Sequence, residues 1–394
     1  MTMTSNNKGL PQQRALRTRE MHRSHTVAFP AFSVAFTPSP TKLLIGGGGG
    51  ATKAGIKNAV IMAEIQEHDL GLKHLFEHRF EKDDDGCMNI AVHPKEKAFV
   101  AAVNSPERTI LSGNNRNCRA FRLSKTGMKT GRSIKTTDSL DGFNHQKSAR
   151  FSPNGKLLCT GTTDGKLSVN SWPALKPAFP AQNFGSEIID IHFNCLGDTI
   201  GVATPDKIRF LSTAKGKSLW ELPKPTIGAE LFEFRALRFG ANLTKGILFV
   251  ILNAKSRKSA LIQKYDVDRK KLLSTTPVSI KPITTFALSP DGSTLAFGSS
   301  DLSITVMSAV TLNRVTRVQN AHGFPPTSID INSDNSIVAS VSADGTCMLT
   351  GILPRRPSSG VGWGVFIIAL VIAIVLLGIG LATMLADTQF GQEL

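Results

Sequence analysis

The amino-acid sequence predicts an all-β protein, a seven-bladed β-propeller followed by one C-terminal transmembrane α-helix. Two observations carry this prediction: a strand-turn-strand unit recurs along most of the chain, and one long uncharged apolar segment stands near its end. The strands have period-2 patterns, which excludes a helical solenoid. With 394 residues, 41% of them hydrophobic, the chain can bury a sizeable core.

The repeated unit is an alternating apolar strand, a turn, a strand of small residues, a second turn and another apolar strand. Clear copies occupy 149–172, 189–212, 285–308 and 329–352, and weaker copies begin near Phe32, Asn89 and Arg235. Seven copies over 26–354 correspond to about 47 residues each, near the ~40–45 residues of a four-stranded blade. A pair of β-sandwiches is the rival arrangement. Because no unit of this size buries its own core, we expect the copies to stack into a closed ring.

The turns within the copies have their own signals. Pro153-Asn154-Gly155 and Pro290-Asp291-Gly292 combine turn-forming residues with a glycine that is free to adopt positive φ. Ser303-Ile304-Thr305-Val306 has the alternation of a half-buried strand. These signals predict antiparallel strands joined by tight turns.

The apolar segment runs from Val361 to Ala386 without a charged residue. As a helix it would be about 39 Å long, enough to cross a hydrocarbon core of about 30 Å. Two arginines stand just before it and only acidic charges follow it, so the positive-inside rule predicts a cytosolic N-terminal part. The expected organisation is a basic disordered extension, a cytosolic propeller, a basic linker, the span and a short lumenal tail: 1–25, 26–354, 355–360, 361–386 and 387–394.

The charge balance and the cysteines limit the compartment and the partners. The formal net charge of +16 favours anionic partners such as acidic proteins, phosphates or the cytoplasmic membrane surface. The five cysteines form no CxxC pair, which favours a reducing compartment over a disulfide scaffold or a zinc ribbon. No GxSxG or HExxH motif is present, so no hydrolase is predicted.

Three polar stretches are candidates for binding. His68, His74 and His78 would hold a metal only on a helix, and a solvated inter-blade loop is the favoured interpretation. Asp83, Asp84 and Asp85 lack the spacing of a calcium loop and predict a solvated acidic turn, with a partner contact as the alternative. The stretch 108–135 has eight basic residues, no acidic one and a single aromatic, which predicts a solvated loop or a lipid-facing one and makes nucleic acid unlikely.

A glycine-rich segment interrupts the first blade between a strand ending at Ile45 and one from about Ala59. Five consecutive glycines, 46–50, are poor for stability because glycine loses the most backbone entropy on folding. The segment is not a phosphate loop, since it lacks GK[ST] and a strand follows it. It is either a flexible linker or a loop whose carbonyls converge on a large, weakly hydrated cation while its tip contacts a partner.

The GGGG run followed by GIKN in the first blade, together with the C-terminal apolar segment, resembles the prolactin regulatory element-binding protein family. The repeats resemble WD-repeat blades, although no Trp-Asp dipeptide is present. The resemblance implies a guanine-nucleotide exchange factor, without covalent chemistry, on the endoplasmic reticulum membrane. Its partner would be a Sar-type small GTPase, whose GTP form starts COPII coat assembly for transport to the Golgi. A membrane-tethered scaffold that recruits proteins without exchange is the alternative.

The resemblance also implies site residues. Ile56 would be the apolar contact with the GTPase, with Lys57 and Asn58 beside it, and Asp83 to Asp85 are a loose match to an acidic contribution. A structural potassium ion would be held by backbone carbonyls and one asparagine side chain, at Gly46, Gly47, Gly48, Gly49, Gly50, Gly55 and Asn58. The oligomeric state is not predicted.

Overall fold

The structure is a computed structural model that describes residues 22–51, 55–66 and 68–352. Its 29 strands form seven antiparallel sheets, six of four strands and one of five, so the predicted seven-bladed β-propeller is confirmed. All seven copies found in the sequence correspond to blades. The remaining regular structure in the described residues is one short helix, α1 (Glu107–Leu111), and a 3-10 turn at Asn242–Thr244.

The blades are numbered in the order in which their innermost strands occur along the chain. The strands of blades 1 to 3 are β2 (Ala31–Phe36), β3 (Lys42–Gly47), β4 (Ala59–Gln66), β5 (Gly71–Arg79); β6 (Asn89–Val92), β7 (Ala98–Ala102), β8 (Cys118–Leu123), β9 (Met128–Ile134); β10 (Gln146–Phe151), β11 (Leu157–Thr162), β12 (Lys166–Ser171) and β13 (Gln182–Asn183). Those of blades 4 and 5 are β14 (Asp190–Phe193), β15 (Thr199–Ala203), β16 (Lys207–Ser212), β17 (Ser218–Pro223); β18 (Thr226–Ile227), β19 (Glu230–Phe239), β20 (Ile247–Ala254), β21 (Ala260–Asp266) and β22 (Lys271–Ser279). Those of blades 6 and 7 are β23 (Ile283–Leu288), β24 (Thr294–Ser299), β25 (Ile304–Ser308), β26 (Arg314–Val318); β27 (Pro326–Ile331), β28 (Ile337–Ser342), β29 (Thr346–Gly351) and β1 (His22–Thr26).

The innermost strands contact one another in cyclic order and surround a central channel. Polar side chains join neighbouring strands there. The Ile90 N–H donates to Ser33 Oγ at 2.8 Å, and the Phe36 N–H donates to Asp330 Oδ2 at 2.8 Å. These bonds satisfy backbone groups that no ladder partner reaches on the channel side.

The hydrophobic core is divided into seven clusters, one between each pair of neighbouring blades. Between blades 1 and 2, for example, Leu44 of β3 packs in the same cluster as Phe99 and Phe121 of blade 2, whose rings stack at 4.9 Å. Burying each such side chain contributes about 2–3 kcal/mol. Stability therefore depends on contacts between blades, as expected for a unit too small to bury its own core.

The ring is closed by β1, which pairs antiparallel with β29 from His22 opposite Thr350 onward. The sequence prediction placed residues 1–25 in a disordered extension, and for residues 22–25 this prediction is wrong. They complete the four-stranded sheet of blade 7, and Arg23 forms an ion pair with Asp69 at 2.6 Å. The physical reason is that β29 would otherwise expose an unpaired edge.

Two stretches interpreted as solvated loops are mostly strands. His74 and His78 lie in β5, where the His78 ring packs against Phe80 and Phe121. The basic stretch 108–135 contains most of α1 and all of β8 and β9. Both predictions of a loop are wrong because buried apolar side chains between the charged ones anchor these segments to their blades.

No helix among the described residues is long and apolar enough to cross a membrane. The predicted linker 355–360, the predicted span 361–386 and the tail 387–394 lie outside the described residues, as do residues 1–21 of the basic extension.

Candidate functional site

The glycine-rich loop connects β3 to β4 in blade 1. Because blade strands are antiparallel, β3 ends where the innermost strand β2 begins, and the Gly48 N–H donates to Pro30 O at 2.9 Å. We call the side of the ring where innermost strands begin the loop face. Residues 52–54 of the loop lie outside the described residues.

The first two glycines belong to a strand and not to the loop. Gly46 pairs with Val60, and Gly47 pairs with Ala59, as part of β3. A Cβ at Gly46 would lie 2.6 Å from Cys87 Sγ, so the absence of a side chain there allows blade 2 to pack against blade 1. The structure therefore places both glycines in β3 and not in the loop, while their role as cation ligands stays a prediction.

Asn58 fastens the loop to the body of the blade, and its side chain is 6% exposed. Its Oδ1 accepts a hydrogen bond from the Gly50 N–H at 3.0 Å, while its Nδ2 donates to Gly50 O at 3.1 Å and to Asp84 O at 2.6 Å. We call these three bonds the Asn58 clamp. Both amide hydrogens are used, so the clamp fixes the glycine end of the loop against the segment before blade 2.

The acidic segment serves as the base for this clamp. Asp84 is buried, and its carboxylate accepts two hydrogen bonds from the Arg119 guanidinium at 2.6 and 2.7 Å. The prediction of a solvated acidic turn is wrong for Asp84, because the Arg119 side chain supplies the charge partner that burial requires. Asp83 is exposed and Asp85 is half-buried.

Ile56 is 42% exposed, which confirms the expectation of an exposed apolar side chain in the loop. A Cβ at Gly49 would lie 2.7 Å from the Ile56 Cβ, so the glycine run lets the two sides of the loop approach closely. Lys57, beside it, is exposed. Among its described residues, the loop thus presents one apolar and one cationic side chain directly before Asn58.

The base of the loop contains a side-chain oxygen, Asn58 Oδ1. A Cβ at Gly48 would lie 2.0 Å from Asn58 Oδ1, so the glycine leaves a space beside this oxygen that a side chain would fill. Among the described residues, no group of three or more His, Cys, Asp or Glu side chains could hold a metal ion. Neutral carbonyl and amide oxygens are the donors that suit a weakly hydrated monovalent cation, and a potassium ion at this position stays a prediction.

The neighbouring titratable groups Cys87 and His78 are packed within blades 1 and 2. Burial raises the pKa of the Cys87 thiol to about 12, so the thiol stays protonated beneath the loop. Burial, followed by the nearby Arg119 charge, lowers the pKa of His78. Both side chains pack in the interface between blades 1 and 2, which is a structural role.

The structure adds an apolar surface that sequence reasoning missed. The exposed side chains of Leu111, Leu140 and Phe143 lie in connections that also open onto the loop face. Phe143 is 90% exposed, although it stands in a turn held at both sides by a buried asparagine, Asn104. The sequence signal that could have identified this surface is a phenylalanine within a polar segment.

Hydrogen bonds join this turn to the glycine-rich loop. Asn104 Nδ2 donates to the carbonyls of Gly142 at 3.1 Å and Asn144 at 3.0 Å, and the Asn104 carbonyl accepts from the Asp85 N–H at 3.0 Å. Asp85 directly follows Asp84, whose carbonyl receives the Asn58 clamp. The Ile56 and Phe143 segments are therefore tied to one polar framework.

Comparison with known proteins supports the repeat assignment. The WD domain, G-beta repeat family matches residues 135–169 and 313–349. The first range contains β10 and β11 and most of β12, and the second contains β26 to β28 and most of β29. These matches are consistent with WD-type blades that lack the Trp-Asp dipeptide.

The chain is also similar to three named proteins. It is 23% identical over 325 residues to SEC12-like protein 2 of Arabidopsis thaliana, covering 79% of this chain and 76% of the relative. It is 28% identical over 235 residues to SEC12-like protein 1 of the same plant, covering 59% and 54%. It is 23% identical over 381 residues to guanine nucleotide-exchange factor SEC12 of Rattus norvegicus, covering 84% and 90%. The chain thus carries WD repeats and is similar over most of its length to SEC12 proteins, which confirms the family resemblance stated from its sequence.

Proposed function

We propose that the protein is a guanine-nucleotide exchange factor for a Sar-type small GTPase. The observation that carries the proposal is the Asn58 clamp, which holds an exposed Ile56 on a face with further exposed apolar side chains. Relatives named guanine nucleotide-exchange factor match most of the chain, which supports the same activity. As in those relatives, no covalent chemistry is required.

The mechanism follows from linkage. An exchange factor must bind the nucleotide-free GTPase more tightly than the GDP-bound form, and GDP then binds the complex more weakly by the same factor. A small GTPase holds its nucleotide through a phosphate loop, Mg²⁺ and switch segments. Ile56 and Lys57 would contact the switch region, and the clamp would keep them in place so that docking costs little conformational entropy.

We infer a structural potassium ion in the loop. Asn58 Oδ1 and the carbonyls of Gly48, Gly49, Gly50 and Gly55 are the oxygens that would hold it. When bound, the ion would supply positive charge that stabilises converging carbonyls. The chain's own contribution is the clamp, which orders the glycine end of the loop from the side of blade 2.

The test is release of fluorescent GDP from a Sar-type GTPase in the presence of residues 1–354. We expect Ile56→Ser and Asn58→Ala each to slow release by about tenfold or more, since a central apolar contact or its support is typically worth about 1–2 kcal/mol or more. Leu243→Ser is the matched control, because Leu243 is 72% exposed in a connection on the opposite face. If GDP leaves the GTPase at its spontaneous rate when the unaltered protein is present, the proposal is contradicted.

The same assay separates the ion from the clamp. We expect faster exchange in potassium than in sodium at equal ionic strength. Asn58→Asp retains an oxygen at Oδ1 but loses both donated hydrogen bonds. If Asn58→Asp exchanges slowly but is still faster in potassium than in sodium, the ion is assigned to the loop. Equal rates in both salts, together with normal exchange by Asn58→Ala, would remove the loop from the mechanism. A scaffold without exchange activity would bind the GTPase and leave release unchanged.

Phe143 tests the extent of the contact surface. We expect Phe143→Ser to reduce exchange by about threefold to tenfold at subsaturating protein, because an exposed aromatic buried on docking contributes about 1 kcal/mol or more. Ile280→Ser is the control, since Ile280 is 76% exposed on the same face but lies between blades 5 and 6. Equal loss in both variants would exclude a contact localised to blades 1 to 3.

We further propose that the apolar segment 361–386 anchors the protein in the endoplasmic reticulum membrane with the propeller in the cytosol. The absence of charge over 26 residues and the arginines before it support this placement. Anchoring would confine GTP loading, and the start of COPII coat assembly, to one membrane.

A further inference from the structure

The central channel contains a cluster of arginines that the proposed exchange activity does not use. Its larger cavity, of about 450 Å³, opens on the loop face and is lined by four basic side chains and two carboxylates: Lys147, Arg150, Arg235, Arg238, Asp190 and Asp330. Lys147 is ion-paired with Glu187, which leaves the three arginines facing the two aspartates. A cavity with low-dielectric walls and an excess of one sign of charge concentrates ions of the opposite sign.

Two of these arginines have no carboxylate partner. Arg238 is ion-paired with Asp190 at 2.5 Å. Arg235 donates to the Thr284 carbonyl and forms no ion pair with a described residue. The Arg150 side chain makes no hydrogen bond and no ion pair within the part of the chain that the structure describes, and its Nε is buried without a partner.

The position of Arg150 is enclosed. It lines both the larger cavity and a second one of about 220 Å³ toward the opposite face, so it stands partway along the channel. Burial, and next the charge of Arg238, lowers the pKa of Arg150 to about 10, which still leaves the guanidinium charged at neutral pH. Asp330 lines the same two cavities, forms no ion pair with a described residue, and accepts backbone N–H bonds from Phe36 and Ile331.

We propose that the channel is a binding site for a small, multiply charged phosphate anion, held by the guanidinium groups of Arg150 and Arg235. Partly buried guanidinium groups that lack an ion pair are costly, and phosphate oxygens accept their forked N–H donors in pairs. Arg150 and Arg235 outnumber Asp330, the one carboxylate of this cavity without an ion pair among the described residues, so the site favours an anion. The depth of Arg150 favours a soluble phosphate compound over a lipid headgroup. This inference is independent of the exchange activity.

The test is calorimetric titration of the full chain in phosphatidylcholine nanodiscs with inorganic pyrophosphate at constant ionic strength. We expect one saturable site, with affinity at least tenfold weaker in Arg150→Met and also weaker in Arg235→Met. Arg269→Met is the control, because it removes the same charge from an 81% exposed side chain. No binding by the unaltered chain, full binding by Arg150→Met, or an equal loss in Arg269→Met would overturn the proposal.

A second measurement separates binding from folding. Without pyrophosphate, Arg150→Met should unfold at the same or a higher temperature than the unaltered chain, since it removes a partly buried charge that forms no ion pair with a described residue. With pyrophosphate, only chains that retain Arg150 should gain thermal stability. A clear loss of stability in Arg150→Met without pyrophosphate would assign Arg150 a structural role and overturn the proposal. Arg150-dependent stabilisation in discs containing phosphatidylinositol phosphate, without added pyrophosphate, would support the site and assign the phosphate to lipid.

Discussion

At the scale of single residues, the glycine run has different roles along its length. Gly46 and Gly47 are strand residues that allow close packing, whereas Gly48 has φ of +146° beside the Asn58 clamp. A side chain at Gly48 would occupy the position of Asn58 Oδ1. Asn58 itself was identified from the family resemblance, but its bond to Asp84 joins residues 26 apart in sequence and was not predictable from either one.

Gly48→Ala should therefore abolish the ordered loop without unfolding the propeller. The added Cβ would lie 2.0 Å from Asn58 Oδ1, so the clamp must open. We expect slow nucleotide exchange, comparable to that of Asn58→Ala, with a urea midpoint close to that of the unaltered protein. Gly113→Ala is the control, since Gly113 also has positive φ but open space around its Cα, and should cost only about 1 kcal/mol. Normal exchange by Gly48→Ala would contradict this prediction.

At the scale of elements, β1 shows how the chain protects its own edge. β29 needs an outer partner, and the chain supplies one from the opposite end of the propeller, more than 300 residues away in sequence. The alternation of β1 is weak and its residues are largely exposed, so its sequence resembles the end of a basic extension. Only pairing to β29 makes it a strand.

A chain that begins at residue 27 should be less stable than one that begins at residue 22. It loses the five-residue pairing with β29, at about 0.5–1.5 kcal/mol for each hydrogen bond, and exposes a strand edge. We expect a loss of about 2–5 kcal/mol in urea unfolding and greater light scattering on heating. Arg23→Ala, which removes only an exposed ion pair, should cost at most about 1 kcal/mol. Identical midpoints for the two truncated chains would show that β1 does not close the ring.

At the scale of the whole molecule, the seven inter-blade cores make the propeller a rigid support for the loop face. Three features of that face come from separate places in the chain: the Ile56 loop from blade 1, the Phe143 turn from the connection between blades 2 and 3, and the arginines of the channel from blades 3 and 5. Ring closure brings them to one side. Their combined chemistry, apolar at the rim and cationic in the channel, is a property of the ring and of no single repeat.

The predicted anchor is tested on the whole chain. We expect the full-length protein to float with membrane vesicles and to resist extraction by carbonate. A chain ending at residue 354 should remain soluble, and one ending at residue 386, which keeps the apolar segment, should behave as the full chain does. A tag after residue 394 should be protected from protease added to intact vesicles. Equal flotation of the chain ending at 354 would place the membrane contact in the propeller.

The sequence by itself determined the number of blades, their approximate boundaries and the apolar segment, because strand alternation, turn residues and hydropathy are local properties of short windows. It also located the loop and an exposed Ile56. Only the tertiary structure decided that Gly46 and Gly47 are strand residues, that Asp84 is buried against Arg119 and that Arg150 stands unpaired in the channel. Each of these depends on contacts between segments distant in sequence, and burial and charge pairing are set by which blades the closed ring makes neighbours.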